Sequence, residues 1–492
     1  MVKSSASSSI AALALGSLAV LSQGCASIGP GGSANASGKP NILFILADDL
    51  GYGDLGCYGQ KTIQTPNIDR LAAKGIRFTQ FYAGAPVCAP SRNVLMTGQD
   101  TGHTQIRGNA KIDLRPEDIT VAQVVHDAGY ATGMFGKWGL GSEGSLGTPT
   151  KKGFDAFFGY VDQSHAHNYY PTFLVNNDTR VPLRNVVPNE GKYGTGEASV
   201  KLDYSDDLIM DHALKFLDDH KSGPFCMYLT STLPHANDEA KTNGSEIPSY
   251  GIYANENWPD TEKGYAAMIT RLDDDVGRLL KKLDELGVAN NTLVIFSSDN
   301  GAQQEGGHLA SFFNSSGPLR GIKRDVYEGG IRDPFIAYWP GHTPVGAVST
   351  HPAYFGDWME TVAEITGGKA PQNLDSQSFL PTLLGHPENQ PPDKFIYWEF
   401  YENGSSQALL LTSTWSADSG STTSAIGPAA VNWKIVRIPM LTGPIQLYDL
   451  NTDIGETHDV AAQHPDIVAR ARAIMDKEHV PSPLWPVPGQ SN

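Results

Sequence analysis

Asn41-Ile42-Leu43-Phe44-Ile45-Leu46-Ala47 is followed at once by Asp48 and Asp49. A short, nearly continuous apolar run bounded by turn formers is the pattern of a strand buried on both faces. Two carboxylates stand where that strand would end. A second run, Thr292-Leu293-Val294-Ile295-Phe296, leads through Ser297 and Ser298 to Asp299 and Asn300. Phe225-Cys226-Met227-Tyr228-Leu229 leads to Pro234-His235, and the stretch from Tyr130 to Phe135 leads to Gly136-Lys137-Trp138. Ligands bind beyond the carboxyl ends of strands in open α/β sheets, so four polar clusters in that position predict one site on a mostly parallel sheet.

Helices are predicted between the strands. Ser205 to His220 carries Leu208, Ile209, Ala213, Phe216 and Leu217 at helical spacing, and Tyr265 to Leu286 carries Met268, Ile269, Leu272, Val276, Leu279, Leu280 and Leu283. Both should cover the sheet. Asp273, Asp274 and Asp275 on the second read as a solvated face. Past Leu384-Gly385-His386-Pro387 the chain turns to Pro-rich loops and separate strand candidates at Phe395 to Phe400, Trp433 to Arg437 and Ile445 to Tyr448. A helix candidate from about His464 to Lys477 follows, and the Ser/Thr/Gly-rich stretch from Ser413 to Ser424 reads as an exposed loop. The expectation is a large domain over 40–385 and a smaller antiparallel α+β subdomain over 386–492.

The chain begins with Lys3, a serine-rich stretch and an apolar run from Ile10 to Leu21, too short to span a bilayer comfortably, which reads as an export signal over 1–26. Gly24-Cys25 fits a bacterial lipoprotein cleavage site, whereas Ser22 and Gln23 fit it poorly. Two outcomes stay open: a lipid anchor at Cys25, the one membrane contact expected, or cleavage after Ala26 to leave a periplasmic or secreted protein. The Gly, Ser, Ala and Pro-rich residues 27–39 form a linker. Four cysteines are too few for a disulfide framework, with Cys57 and Cys226 the one pair left once Cys25 and Cys88 are assigned elsewhere. A formal charge of −17 argues against nonspecific binding to nucleic acid or acidic membranes. Any anion site must be local.

Cys88-Ala89-Pro90-Ser91-Arg92 places a thiol beside a proline-rigidified turn and a permanent cation, and the stretch continues to Met96-Thr97-Gly98. Asp48, Asp49, Asp299 and Asn300 are hard oxygen donors from two strand ends, suited to calcium, or alternatively magnesium, rather than zinc.

The Cys-x-Pro-Ser-Arg pattern resembles the signature of the formylglycine-dependent sulfatases, in which a modifying enzyme oxidises the cysteine to an aldehyde. The likeness runs from Asn41 to the C-terminal helix through Asp48-Asp49, Ser298-Asp299-Asn300-Gly301, Leu319-Arg320-Gly321-Ile322-Lys323 and Glu328-Gly329-Gly330. It implies an alkaline-phosphatase-like fold, a cation held by Asp48, Asp49, Asp299 and Asn300, and catalytic positions at Cys88, Arg92, Lys137, His235 and Lys323. It also implies a partner, a formylglycine-generating or anaerobic sulfatase-maturing enzyme. In that scheme a hydroxyl of the hydrated aldehyde, made acidic by the cation, attacks sulfur. Lys137 and Lys323 stabilise the sulfuryl oxygens, His235 protonates the leaving oxygen, and the second hydroxyl then expels sulfate.

One position departs. The family often reads Gly-Lys-Trp-His-Leu-Gly, but this chain has Gly136-Lys137-Trp138-Gly139-Leu140-Gly141. His167, within Gln163-Ser164-His165-Ala166-His167, is the expected stand-in for the missing histidine, with Gln163 nearby and His165 behind it. His103, Arg107 and His308 are further candidates for contacts to the leaving alcohol, and Glu399 is a weaker one. Secreted bacterial relatives of this layout act on carbohydrates, so the expected substrate is a sulfated polysaccharide or its oligosaccharides, met at a chain end or as a small fragment. Two other functions remain open: a phosphonate or phosphodiester hydrolase with the same nucleophile, and a non-catalytic sulfoglycan-binding protein.

Overall fold

Residues 41–47 form the expected strand, β1 (Asn41–Ala47), buried along its whole length. The computed structural model describes residues 38–372, 374–392, 395–412 and 432–487. The export signal with Cys25, residues 27–37 of the linker and the loop from Ser413 to Ser424 fall outside them. In chain order the following strands are β2 (Ile76–Tyr82), β3 (Ala131–Lys137), β4 (Ala156–Tyr160), β5 (Phe173–Asn176), β6 (Thr179–Pro182), β7 (Phe225–Thr230), β8 (Thr292–Ser298), β9 (Arg332–Tyr338), β10 (Ala347–Ser349) and β11 (Ala353–Tyr354). They make an eleven-stranded sheet ordered β10-β2-β9-β8-β1-β7-β3-β4-β5-β6, with β11 beside β2. β8, β1, β7, β3 and β4 are mutually parallel, while β9 and β5 pair antiparallel on either side of them. The sheet is therefore mixed and mostly parallel at its centre, as expected.

Successive side chains of a strand point to opposite faces. Ile42, Phe44 and Leu46 accordingly join one core, with residues of α2 (Cys88–Thr97), α3 (Val121–Asp127) and the helix Asp357–Thr366. Leu43, Ile45 and Ala47 join the other, with α1 (Pro66–Lys74), α4 (Ser205–His220) and α5 (Asp260–Glu285). Among the described residues no helix is long and apolar enough to cross a membrane.

α4 matches its expected span, but α5 starts earlier than Tyr265, directly after Pro259 and with Asp260 and Glu262 in its first turn. A polar first turn is favoured by the helix dipole yet contributes nothing to apolar periodicity. The solvated reading of Asp273 and Asp275 is corrected, for both are buried. Asp273 accepts hydrogen bonds from the backbone N–H groups of Asn67 (2.9 Å) and Ile68 (2.8 Å), two donors of the first turn of α1 with no intrahelical partner. Asp275 is bonded by Arg278 at 2.8 Å. Cys57 and Cys226 are both free thiols.

Beyond the large sheet, β12 (Ile396–Phe400), β13 (Ser406–Thr412), β14 (Asn432–Arg437) and β15 (Ile445–Asp449) form a separate antiparallel sheet. β13 was not anticipated from the sequence. Tyr397, Leu409, Ile435 and Leu447 pack on Met475 of the helix Pro465–Glu478. The opposite face reaches the large sheet: Trp398 donates to the Ala83 carbonyl at 2.9 Å, and Lys434 pairs with Glu328 at 2.9 Å.

Candidate active site

The proline-rigidified turn expected at Cys88 is instead the first turn of α2. Val87 is extended at its start, and Cys88 is the first helical residue. Pro90 falls where an α-helix has no use for a backbone N–H, so it enters the helix without cost to the ladder. All ten residues of α2 are buried. The Cys88 sulfur lies 3.7 Å from Asp49 Oδ1. Burial, and after it the neighbouring Asp48, pushes the Cys88 thiol well above its ordinary range, so the unmodified side chain is a poor thiolate nucleophile.

The ends of β1, β3 and β8 meet beside it. Asp49 has a left-handed backbone (φ 66°), and its N–H donates to Asp299 Oδ1 at 3.0 Å, which ties the β1 end to the β8 end. Lys137, the last residue of β3, donates to Asp48 Oδ2 at 2.7 Å. Arg92 donates through Nε to Asp299 Oδ2 and through Nη1 to the Lys137 carbonyl, both at 2.8 Å. Burial works to raise the Asp48 pKa, but Lys137 and Arg92 outweigh it and hold this carboxyl below the usual range. At Asp299 burial and Asp48 prevail, and its pKa is pushed up to about 7.

Two buried oxygens of this cluster, Asp48 Oδ1 and Asn300 Oδ1, have no hydrogen-bond partner. Asn300 instead uses Nδ2 to donate to Asp49 Oδ1 at 2.8 Å. Unpaired oxygens in a fully buried set of carboxylate and amide donors are costly as they stand, and they are what a hard divalent cation requires. The residues therefore fit such an ion.

His235 and Lys323 complete the wall. Lys323 Nζ lies 2.7 Å from both Asp49 Oδ2 and Glu305 Oε2, and 3.3 Å from His235 Nε2. His235 Nδ1 is 2.6 Å from the Ala236 carbonyl, which only accepts, so Nδ1 carries the proton and Nε2 accepts from Lys323. Burial lowers the His235 pKa to about 4, keeping the ring neutral near pH 7.

The structure thus gathers Asp48, Asp49, Asp299, Asn300, Cys88, Arg92, Lys137, His235 and Lys323 into one buried cluster. His167 stands over it, its ring stacked on His235 with centroids 4.7 Å apart. Gly139 is left-handed (φ 77°), and a Cβ there would lie 2.5 Å from Gln163 Oε1. Gln163, rather than His167, is the side chain that covers Gly139. His165 is buried between Tyr160 and Phe173, where burial lowers its pKa to about 3.

Three expected substrate contacts are engaged elsewhere. His103 bonds Asp375 at 2.8 Å and lies within 3.8 Å of Glu478 of the C-terminal helix. Arg107 is buried, donating to the Val480 carbonyl (2.7 Å), Tyr401 (3.1 Å) and Glu399 (3.3 Å). These two side chains join the large sheet to the C-terminal subdomain, which consumes their charge. His308 is buried against Tyr265, its Nδ1 2.6 Å from Glu262. Glu399 is likewise spent on Tyr397, Tyr401 and His479. Residues that sequence reasoning missed include Glu305, which holds both Lys323 and Arg324, and Glu402, 3.7 Å from Arg324. Glu305 was visible two residues before Gly307, but nothing local marks a carboxylate that pairs across a loop.

The fold is that of the sulfatase family. The family profile described as Sulfatase matches residues 40–386. The N-acetylgalactosamine-6-sulfatase of Rattus norvegicus is 33% identical over 386 residues, covering 73% of this chain and 68% of its own length. The N-acetylgalactosamine-6-O-sulfatase of Bacteroides thetaiotaomicron is 30% identical over 502 residues, covering 89% of this chain and 93% of its own. The crystal structure of Ps i-CgsB in complex with k-i-k-neocarrahexaose superposes with a TM-score of 0.70 and 27% identity, over 92% of this chain and 94% of that one. This chain belongs to the sulfatase family. It is a sulfuric ester hydrolase with an alkaline-phosphatase-like fold.

Proposed function

We propose that the protein releases inorganic sulfate from sulfated carbohydrates, acting through a formylglycine made from Cys88 and one divalent cation, calcium in the first instance. The observation that carries this reading is the pair of buried oxygens without a hydrogen bond, Asn300 Oδ1 and Asp48 Oδ1, the latter 3.6 Å from Arg92 Nη2, in the cluster that holds Cys88 3.7 Å from Asp49. Asp48, Asp49, Asp299 and Asn300 would hold the cation. When present, the cation and the hydrated aldehyde together supply a nucleophile that is ionised near neutral pH.

The remaining work falls to this chain's side chains. Three cations, Arg92, Lys137 and Lys323, are paired with Asp299, Asp48 and Asp49, and Glu305 is a second carboxylate on Lys323. A divalent ion gives the cluster a net positive charge suited to a sulfate ester. Lys137 and Lys323 flank the sulfuryl oxygens, where fixed charge in a dry site stabilises the transition state. Arg92, braced by Asp299 and the Lys137 carbonyl, orients the nucleophile end of α2. Because His235 is neutral with its proton on Nδ1, the proton for the leaving oxygen is carried by Lys323 Nζ, 3.3 Å from the accepting His235 Nε2, rather than by His235 as expected from the sequence.

Both N-acetylgalactosamine sulfatases named above and the carrahexaose-bound Ps i-CgsB support a carbohydrate substrate. We place the catalytic domain at 40–385 and the accessory subdomain at 386–492, in an exported bacterial protein. The test is mass spectrometry of the Cys88 peptide from protein made with a maturing enzyme, paired with sulfate release from a panel of sulfated sugars. Aldehyde with cation-dependent release is the expected result. Aldehyde with hydrolysis only of phosphate or phosphonate esters would overturn the sulfatase reading, and persistent cysteine under competent conditions would overturn the nucleophile.

A further inference from the structure

Outside the buried cationic cluster, the side chains that frame the leaving-group side are acidic. Glu305 is bonded to Lys323 and Arg324. Asp238 and Glu239 lie 3.7 Å and 3.6 Å from Nδ1 of His167, whose ring covers His235. Glu402 accepts from the backbone N–H of Asn109 at 3.1 Å, and Asn109 in turn accepts from the N–H of Ala89, next to Cys88. Glu305 thus touches Lys323 directly, Asp238 and Glu239 reach His235 through His167, and Glu402 reaches Cys88 through Asn109 and Ala89. Arg324 stands among them, but Glu305 and Glu402 both hold it.

These carboxylates are not buried structural acids. Their side chains are 39% (Asp238), 33% (Glu239), 14% (Glu305) and 32% (Glu402) exposed, whereas Asp48, Asp49 and Asp299 are fully buried. Burial, and next the charge of Glu305, raises the Asp238 pKa. Carboxylates are strong acceptors for sugar hydroxyls and repel a second anion.

We propose that Asp238, Glu239, Glu305 and Glu402 select a leaving sugar that is neutral and hydroxyl-bearing around the scissile ester, and reject one carrying a second sulfate or a carboxylate beside it. The inference rests on the sulfatase reading and deepens it. The cationic interior accepts one sulfate, and the acidic rim discriminates against more. A polyanionic glycan is then a substrate only after other hydrolases have removed neighbouring charges, or where its sulfates are sparse.

The experiment compares kcat/KM for three esters of one parent sugar with the mature, cation-loaded enzyme: the monosulfate, the vicinal disulfate, and the monosulfate of the corresponding uronic acid. The monosulfate should exceed the other two at least about tenfold at low salt, with the ratio shrinking as salt screens the rim. The variants D238N/E239Q and E402Q, which leave Cys88, Lys137, His235 and Lys323 intact, should each narrow that ratio, chiefly through KM for the charged esters. Equal kcat/KM for all three esters, or a ratio unmoved in both variants, overturns the proposal. Release of sulfate from none of them, with aldehyde confirmed, is instead a failure of the sulfatase reading.

Discussion

Lys434→Met tests how the C-terminal sheet is fastened to the catalytic one. The Lys434 side chain is fully buried on β14, with its Nζ 2.9 Å from Glu328 Oε1 and 5.3 Å from the Trp398 ring centroid. Glu328 also accepts from Tyr82 (2.9 Å) and Arg332 (3.1 Å), and its backbone N–H donates to Glu456 at 2.8 Å. Burial pushes the Glu456 pKa up to about 8, Lys434 opposes that shift, and Glu328 adds to it. Methionine keeps the stem against Trp398 but takes from Glu328 one of its two cations, leaving Arg332, and removes the charge that opposes the rise at Glu456. Breaking a buried pair from one side costs about 3–5 kcal/mol. Unfolding entropy of about 2.1 cal/mol/K per residue gives about 1 kcal/mol/K for a chain of this size, so the melting temperature should fall by about 3–5 °C. Calorimetry of wild type, K434M and E328Q/K434M at pH 7 measures it. The double variant should recover none of the loss, because glutamine at 328 leaves the buried Arg332 without its carboxylate partner. A K434M fall under about 1 °C, or a double variant more stable than K434M, would refute this account.

Gly139→Ala puts a methyl group against Gln163 Oε1 at a left-handed backbone position, and should cost about 1–2 kcal/mol together with much of the turnover. Adding Gln163→Ala should relieve the clash but not the backbone strain, so only part of the melting temperature returns. His103, hydrogen-bonded by Asp375 against the opposing effect of burial, has its pKa raised from 6.5 to about 9, with Asp100 and Glu478 adding to the rise. Its contribution to stability is therefore complete below pH 6.5 and is lost as pH climbs through 9, so a melting curve series in His103→Gln should be flatter over that window than in wild type. A chelator should abolish sulfate release and lower the melting temperature. Calcium should restore both in wild type, and less well in Asn300→Ala; a melting temperature indifferent to calcium would count against the oxygen cluster as the cation site.

Short-range pattern determined much of this protein. The buried runs at 41–47, 225–229 and 292–296 could only be strands of a covered sheet, and polar residues following such strands had to gather along one edge. The Cys88-Ala89-Pro90-Ser91-Arg92 stretch carried the likeness to the sulfatases, and the family match over residues 40–386 agrees with it. What the sequence left open is pairwise. His103, Arg107 and His308 are as polar as His235, and nothing in their neighbourhoods says that Asp375, Glu399 and Glu262 will take them. The solvated character expected for Asp273 failed for the same reason, since its partners sit some two hundred positions earlier, on α1. Secondary structure follows from periodicities a few residues long, so the sequence by itself determined the strands, most helices and the chemical type of the site. Which acid faces which base depends on how strands distant in sequence come to lie side by side. Only the tertiary structure could therefore decide that a neutral His235 faces Lys323, that Gln163 covers Gly139, and that Glu305 holds Lys323 and Arg324 together.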